Sequence, residues 1–254
     1  MSIRRLAELF WRNRRLRRRL PARFGQRPII VSPDAALRWL RPDESAFEPS
    51  LLALADHRIT AGMPVWDIGA NVGAFTLPAA HRSRAAVLAV EADPFLAGLL
   101  RDTAGLPQNR DLDIEVLCVA IGDRDGAARF RIAGRGRASN GLESGTLSTQ
   151  HGASRQIMTV PTFRLDTLLE DFTAPAFIKV DVEGAELLLL RGATRLLSEI
   201  RPTFYIEVSG ASRTEACKIF AAAGYQLFDG DSDPTAPDPA GPHCTNLLAI
   251  PGPS

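Results

Sequence analysis

Long apolar runs are missing from this sequence. No stretch reaches the roughly 18 uninterrupted apolar residues a membrane-crossing helix needs, and runs such as residues 185 to 190 are soon broken by charge. The basic N-terminus is not followed by an apolar segment, so no secretory signal is expected. Cysteine is scarce: Cys118, Cys217 and Cys244 are far apart and odd in number. That excludes a disulfide framework or a thiolate metal site and fits a chain in a reducing cytoplasm. Lysine occurs only as Lys179 and Lys218. No internal repeat is visible.

What is present is an ordinary globular composition, 45% hydrophobic and 23% charged over 254 residues, which favours one domain with extensions. The net charge of +1 conceals an asymmetry. Residues 1 to 27 hold ten arginines against one acid, Glu8, so the remainder is net acidic. In residues 1 to 20, Ile3, Leu6, Leu9, Phe10, Leu16 and Leu20 fall near helical spacing, predicting a basic amphipathic helix ended by Pro21. It is expected to dock on the domain or trail from it; peripheral contact with the inner face of a membrane is the alternative. Residues 28 to 63 read as a lead-in strand and helix, and residues 64 to 254 as the main domain.

From residue 64, strands alternate with helices. Strands are expected at 65–68, 87–90, 114–120, 157–160, 177–180, 203–208, 225–228 and 247–250, and residues 128 to 132 are expected to pair locally after a turn at 123–126. This predicts an α/β fold: a Rossmann-like, doubly wound, mainly parallel sheet with an antiparallel last strand and an N-terminal helical extension. Residues 133 to 156 lack hydrophobic periodicity and read as a long loop of the kind that often carries function.

In such a sheet, ligands bind beyond the carboxyl ends of the strands where strand order reverses. The first strand leads into Asp67-Ile68-Gly69-Ala70-Asn71-Val72-Gly73. Gly69 and Gly73 free the backbone to turn sharply and approach a ligand. Asn71 replaces the middle glycine of a dinucleotide fingerprint, and Asp67 suits a ligand with a cationic amino-acid portion better than a diphosphate. The second strand ends in Glu91, where a carboxylate accepts both hydroxyls of an unphosphorylated ribose. An adenosine with an amino-acid tail satisfies both features.

Further along, Phe177-Ile178-Lys179-Val180-Asp181-Val182-Glu183-Gly184-Ala185-Glu186 is followed by Leu190-Arg191-Gly192-Ala193 and by Pro202 and Glu207. Together with Val90-Glu91-Ala92-Asp93-Pro94, these stretches resemble the FkbM family of methyltransferases over roughly residues 65 to 250; Ala92 stands where proline is common. The resemblance implies S-adenosylmethionine as methyl donor and a small-molecule hydroxyl acceptor on a sugar, glycolipid or secondary metabolite. It also implies that Asp67, Gly69, Ala70, Asn71 and Gly73 surround the methionine moiety, that Glu91 holds the ribose, and that the turn from Ala120 and Ile121 flanks the adenine. The Asn/Asp-Pro-Pro-aromatic signature of many amino methyltransferases is absent, and the acidic body disfavours nucleic acid as substrate.

Methyl transfer to an alcohol requires alignment with the methyl group and removal of the hydroxyl proton. Asp181, Glu183 and Glu207, at strand ends, are the catalytic candidates. Either Asp181 or Glu183 is the base, or Asp181 and Glu207 hold Mg²⁺; the metal-free version is favoured. Glu186 reads as a structural carboxylate in the first turn of a helix. His151 is a weaker candidate base, and Arg135, Arg137 and Arg155 read as a solvated loop with anion binding as the alternative. A non-catalytic scaffold recruited through its basic N-terminus is the competing function.

Overall fold

The computed structural model describes residues 13–134, 137, 140–142 and 154–253. Its chain begins with β1 (Leu16–Arg19) and β2 (Pro28–Val31), paired antiparallel, then α1 (Pro49–Arg58). The expected helix is corrected here: residues 1 to 12 lie outside the described residues, and Leu16–Arg19 is a strand. Its alternation half-buries Leu16 and Arg18, and the Arg18 guanidinium donates to the carbonyls of Arg41 and Trp39. Pairing with β2 overrides the helical period, since the ladder satisfies the backbone and one face finds apolar cover.

The main sheet contains β3 (Val65–Ile68), β4 (Val87–Val90), β5 (Ile114–Leu117), β10 (Phe177–Val180), β11 (Thr203–Glu207), β12 (Tyr225–Asp229) and β13 (Asn246–Pro251). Their spatial order is β12-β13-β11-β10-β3-β4-β5, and only β13 runs antiparallel to its neighbours. Strand order reverses at β3, so the crevice falls beyond Ile68. The central strands are buried on both faces. Val65, Val87 and Phe177 pack with the lead-in segment and with α2 (Thr76–Ser83). Trp66, Leu88, Ile178 and Phe204 pack with α5 (Glu186–Arg191) and α6 (Gly210–Ala222). After β4, Asp93 caps α3 (Pro94–Ala104) by accepting from the Phe95 amide at 2.9 Å, with proline in the first turn.

A second sheet joins β6 (Ala120–Ile121), β7 (Gly126–Ala133), β8 (Gly141–Leu142) and β9 (Ser154–Phe163), in the order β6-β9-β7-β8. Two expectations change. The third strand ends at Leu117, and Ala120–Ile121 belongs to this second sheet. β7 pairs with the distant β9 rather than locally. The expected loop at 133–156 therefore includes β8 and the start of β9. Its short polar stretches carry no apolar period because their cover comes from elsewhere. The helix of four residues after β9, α4 (Leu165–Leu168), returns the chain to β10.

Candidate active site

The turn after β3 adopts positive φ at Gly69 (78°), Asn71 (52°) and Gly73 (89°). A Cβ at Gly69 would lie 1.8 Å from the Asp181 carbonyl oxygen, and one at Gly73 would lie 2.3 Å from Leu100 Cδ1. Both glycines therefore make room for protein as well as for the turn, and Gly73 lines neither cavity described below. The Asn71 amide donates to Glu91 Oε2 at 2.8 Å, and the Asp93 amide donates to Glu91 Oε1 at 2.7 Å. Glu91 is 7% exposed. Burial pushes its carboxyl up to about 7 even though two amides stabilise the charged form.

Two cavities meet at this turn. The first is walled by Glu91, Val119, Ala120, Ile121, Leu142 and Leu96, among others. The second is walled by Ala70, Lys179, Tyr205 and Glu207 from the sheet side and by Arg38, Trp39, Glu48 and Ser50 from the lead-in segment. Gly69, Asn71, Asp181 and Glu183 line both. Of the residues expected to bind the cofactor and the three catalytic candidates, all therefore reach a cavity wall except Asp67 and Gly73. Asp67 is fully buried beneath the turn. One of its oxygens accepts from Thr76 Oγ1 at 2.6 Å, and the other lies 3.5 Å from Lys179 Nζ. The expectation that it contacts a ligand is corrected to a role under the site.

Asp181, Glu183 and Glu207 stand together at the ends of β10 and β11, with Glu186 behind them. Glu183 is open to solvent on one side. Desolvation by the cleft wall, followed by the charges of Asp181, Glu207 and Glu186, pushes its carboxyl up to about 7. Glu207 is raised for the same reasons, desolvation first and then Asp181. Glu186 accepts from the Gly184 amide at 2.8 Å, which agrees with a structural carboxylate; burial outweighs that bond and its pKa is raised to about 7. Among the described residues no three His, Cys, Asp or Glu side chains form a metal-holding group.

Sequence reasoning missed two features. Lys179 is 4% exposed in the middle of an otherwise apolar strand, and its ammonium donates to Gly69 O at 3.2 Å and Asp181 Oδ2 at 3.3 Å. The signal was a lone charge in a run buried on both faces, which demands partners. The second is a buried network across the first cavity. Arg137 bonds Asp34 (3.0 Å) and Asp93, Asn140 donates to Asp93 (2.8 Å), and Arg155 bonds Asp34 (3.0 Å). Burial opposes ionisation of Asp34, but hydrogen bonds and charge from Arg155 and Arg137 outweigh it and hold its carboxyl below the usual range. Arg137 and Arg155 are thus paired rather than solvated; Arg135 and His151 lie outside the described residues. The segment is drawn tight over the site, since a Cβ on Gly141 would lie 2.7 Å from Glu183 O.

No helix among the described residues is long and apolar enough to cross a membrane. The chain is similar in structure to the methyltransferase FkbM from Methylobacillus flagellatus KT, with 19% identity and a TM-score of 0.50 over 76% of this chain and 44% of that one. It thus spans less than half of that protein. It is also similar to a TehB-like S-adenosylmethionine-dependent methyltransferase from Corynebacterium glutamicum, at 14% identity and a TM-score of 0.45 over 90% of this chain and 97% of that one. A third likeness is precorrin-6y C5,15-methyltransferase from Geobacter metallireducens GS-15, at 13% identity and a TM-score of 0.44 over 80% and 87% of the two chains. No curated protein matches the sequence. The methyltransferase FkbM domain matches residues 67–227, most of the main domain and more than half of the chain; the protein belongs to the FkbM methyltransferase family.

Proposed function

We propose that the protein transfers a methyl group from S-adenosylmethionine to a hydroxyl oxygen of a small-molecule acceptor, a sugar, glycolipid or secondary metabolite. The observation that carries the reading is the shared rim: Gly69, Asn71, Asp181 and Glu183 border both cavities, so two molecules can meet there. The first cavity suits the donor. Each Glu91 oxygen accepts one backbone amide, which leaves each a free lone pair for a ribose hydroxyl. Val119, Ala120, Ile121 and Leu96 give apolar walls for a purine.

S-adenosylmethionine supplies an electrophilic methyl group; the residues of the chain supply alignment and a place for the proton. The acceptor oxygen, approaching from the second cavity, must lose its proton as the new carbon–oxygen bond forms. Asp181 and Glu183 are the carboxylates on the shared rim. A base is most effective when its pKa lies near the working pH, which favours Glu183 for taking the proton and Asp181 for orienting the hydroxyl. Glu207, on the acceptor side alone, adds a further hydrogen-bond acceptor for a polyol.

The test is calorimetry of the full chain with S-adenosylmethionine, followed by incubation with labelled donor and a panel of monosaccharides, alkyl glycosides and polyols. Donor binding and label recovered as an O-methyl ether are expected. Absence of binding, or label transferred only to nitrogen, would sink the reading.

A further inference from the structure

We propose that Lys179 is a positioning residue that ties the donor turn to the acceptor carboxylate, so that both substrates are aligned by one buried ammonium. The proposal rests on the methyl-transfer reading above and goes beyond it in assigning this side chain. Lys179 pairs in register with Asp67 on β3 and with Tyr205 on β11. Its Nζ stands 3.2 Å from Gly69 O, 3.3 Å from Asp181 Oδ2 and 3.5 Å from Asp67 Oδ1. The ammonium thus donates to two acceptors, on the turn and at the end of β10, and forms an ion pair with a third oxygen within β3.

The choice of residue is informative. Nearly every cation in this chain is arginine, yet the one buried between the central strands is lysine. An ammonium directs three donors from a single small atom, whereas a guanidinium is a broad planar fork. Only the former serves three oxygens crowded around one point. The fold itself does not call for the charge: replacing a buried ion pair by apolar groups of similar volume is often neutral or stabilising. Asp67 Oδ1, buried without a hydrogen-bond partner and 3.5 Å from this ammonium, supplies the countercharge that keeps the lysine ionised in place. Burial works against the ammonium, but the Asp181 and Asp67 charges outweigh it and raise its pKa.

The consequence runs through the turn. Gly69 O is held from below by Lys179, and two residues on, the Asn71 amide is held by Glu91. Removing the lysine frees one end of the segment that lines both cavities. It also releases Asp181 from a partner that restrains one of its oxygens.

Two variants test this in the full chain. Lys179→Ala leaves space for a small amine but strands Asp67; Asp67→Asn with Lys179→Met removes both charges and preserves packing. The double variant is expected to keep the wild-type thermal midpoint yet bind S-adenosylmethionine at least about tenfold more weakly. In ligand-free protein, amide exchange at residues 69 to 73 should accelerate in both variants. Ethylammonium should restore donor binding to Lys179→Ala, and propanol should not. Wild-type affinity and exchange in the double variant, equal rescue by propanol, or unfolding of both variants would overturn the proposal in favour of a structural role. If wild type itself does not bind the donor, the functional reading fails, while exchange at 69 to 73 still judges the lysine.

Discussion

The two cavities that meet at Gly69 are built from different material. The cavity proposed for the donor has its carboxylate fixed by backbone. Glu91 is fixed by two amides, and the cavity is closed by Arg137 and Asn140 through Asp93, itself fixed as the cap of α3. The cavity proposed for the acceptor is framed by side chains partly open to solvent, Glu207 and, on the rim it shares with the first, Asp181 and Glu183. Its far wall, with Arg38, Trp39, Glu48 and Ser50, comes from the lead-in segment, which precedes the matched family domain at residues 67–227. A side chain held by backbone groups is placed by the fold itself, whereas a wall of side chains on a short-helical segment can be altered without disturbing the sheet. On the proposed assignment, residues 36 to 51 can therefore vary the acceptor cavity without disturbing Glu91.

The comparison breaks if mutations on the two sides have the same effect. The largest expected difference is in turnover. Asp181→Asn and Glu183→Gln should lower kcat by about a hundredfold to ten-thousandfold, the usual worth of a proton acceptor. Donor affinity measured by calorimetry should change little. A matching loss of donor affinity would show that these carboxylates serve the donor instead.

Next in size is the donor side. Glu91→Gln should weaken S-adenosylmethionine by about ten- to hundredfold, since hydrogen bonds to a charged group contribute roughly 1.5–3 kcal/mol. The KM of an identified acceptor should be unaffected. Loss of acceptor affinity alone would reverse the assignment of the cavities.

The smallest effect concerns pH. Glu91 and Glu186 have carboxyls raised from 4.5 to about 7 in the folded protein, chiefly by burial. The folded state thus binds their protons more tightly than the unfolded one. The stabilisation is fully present below about 4.5 and is lost as pH rises through about 7. His81, depressed by burial and by Arg84, Arg27 and Arg82, acts in the opposite sense, so the difference between proteins is the quantity to read. Between pH 5 and 8 the thermal midpoint of wild type should fall by a few degrees relative to Glu186→Gln. Parallel profiles would show that Glu186 is not protonated by burial.

Much of the fold was legible because most strands of the main sheet are short apolar runs closed by a glycine or an acid. The order in which Gly69, Glu91, Asp181 and Glu207 occur at strand ends places them on one rim of any doubly wound sheet. Less was visible where a segment draws its partner from afar. Leu16–Arg19 matched a helical spacing as well as an alternating one, and only β2 decided between them. β7 looked self-sufficient until β9 supplied its ladder. Arg155 appeared solvated because its partner Asp34 lies 121 residues away. Asp67 looked like a ligand group because strand-end position does not reveal which way a carboxylate faces.

The sequence by itself determined which residue types close the strands and the family, because both depend on residue type at fixed spacing along a single chain direction. Only the tertiary structure decided that Asp67 lies under the turn, that Lys179 joins turn to carboxylate, and that residues 36 to 51 wall the second cavity. Those outcomes depend on register between neighbouring strands and on burial, and both arise only when segments distant in sequence pack together.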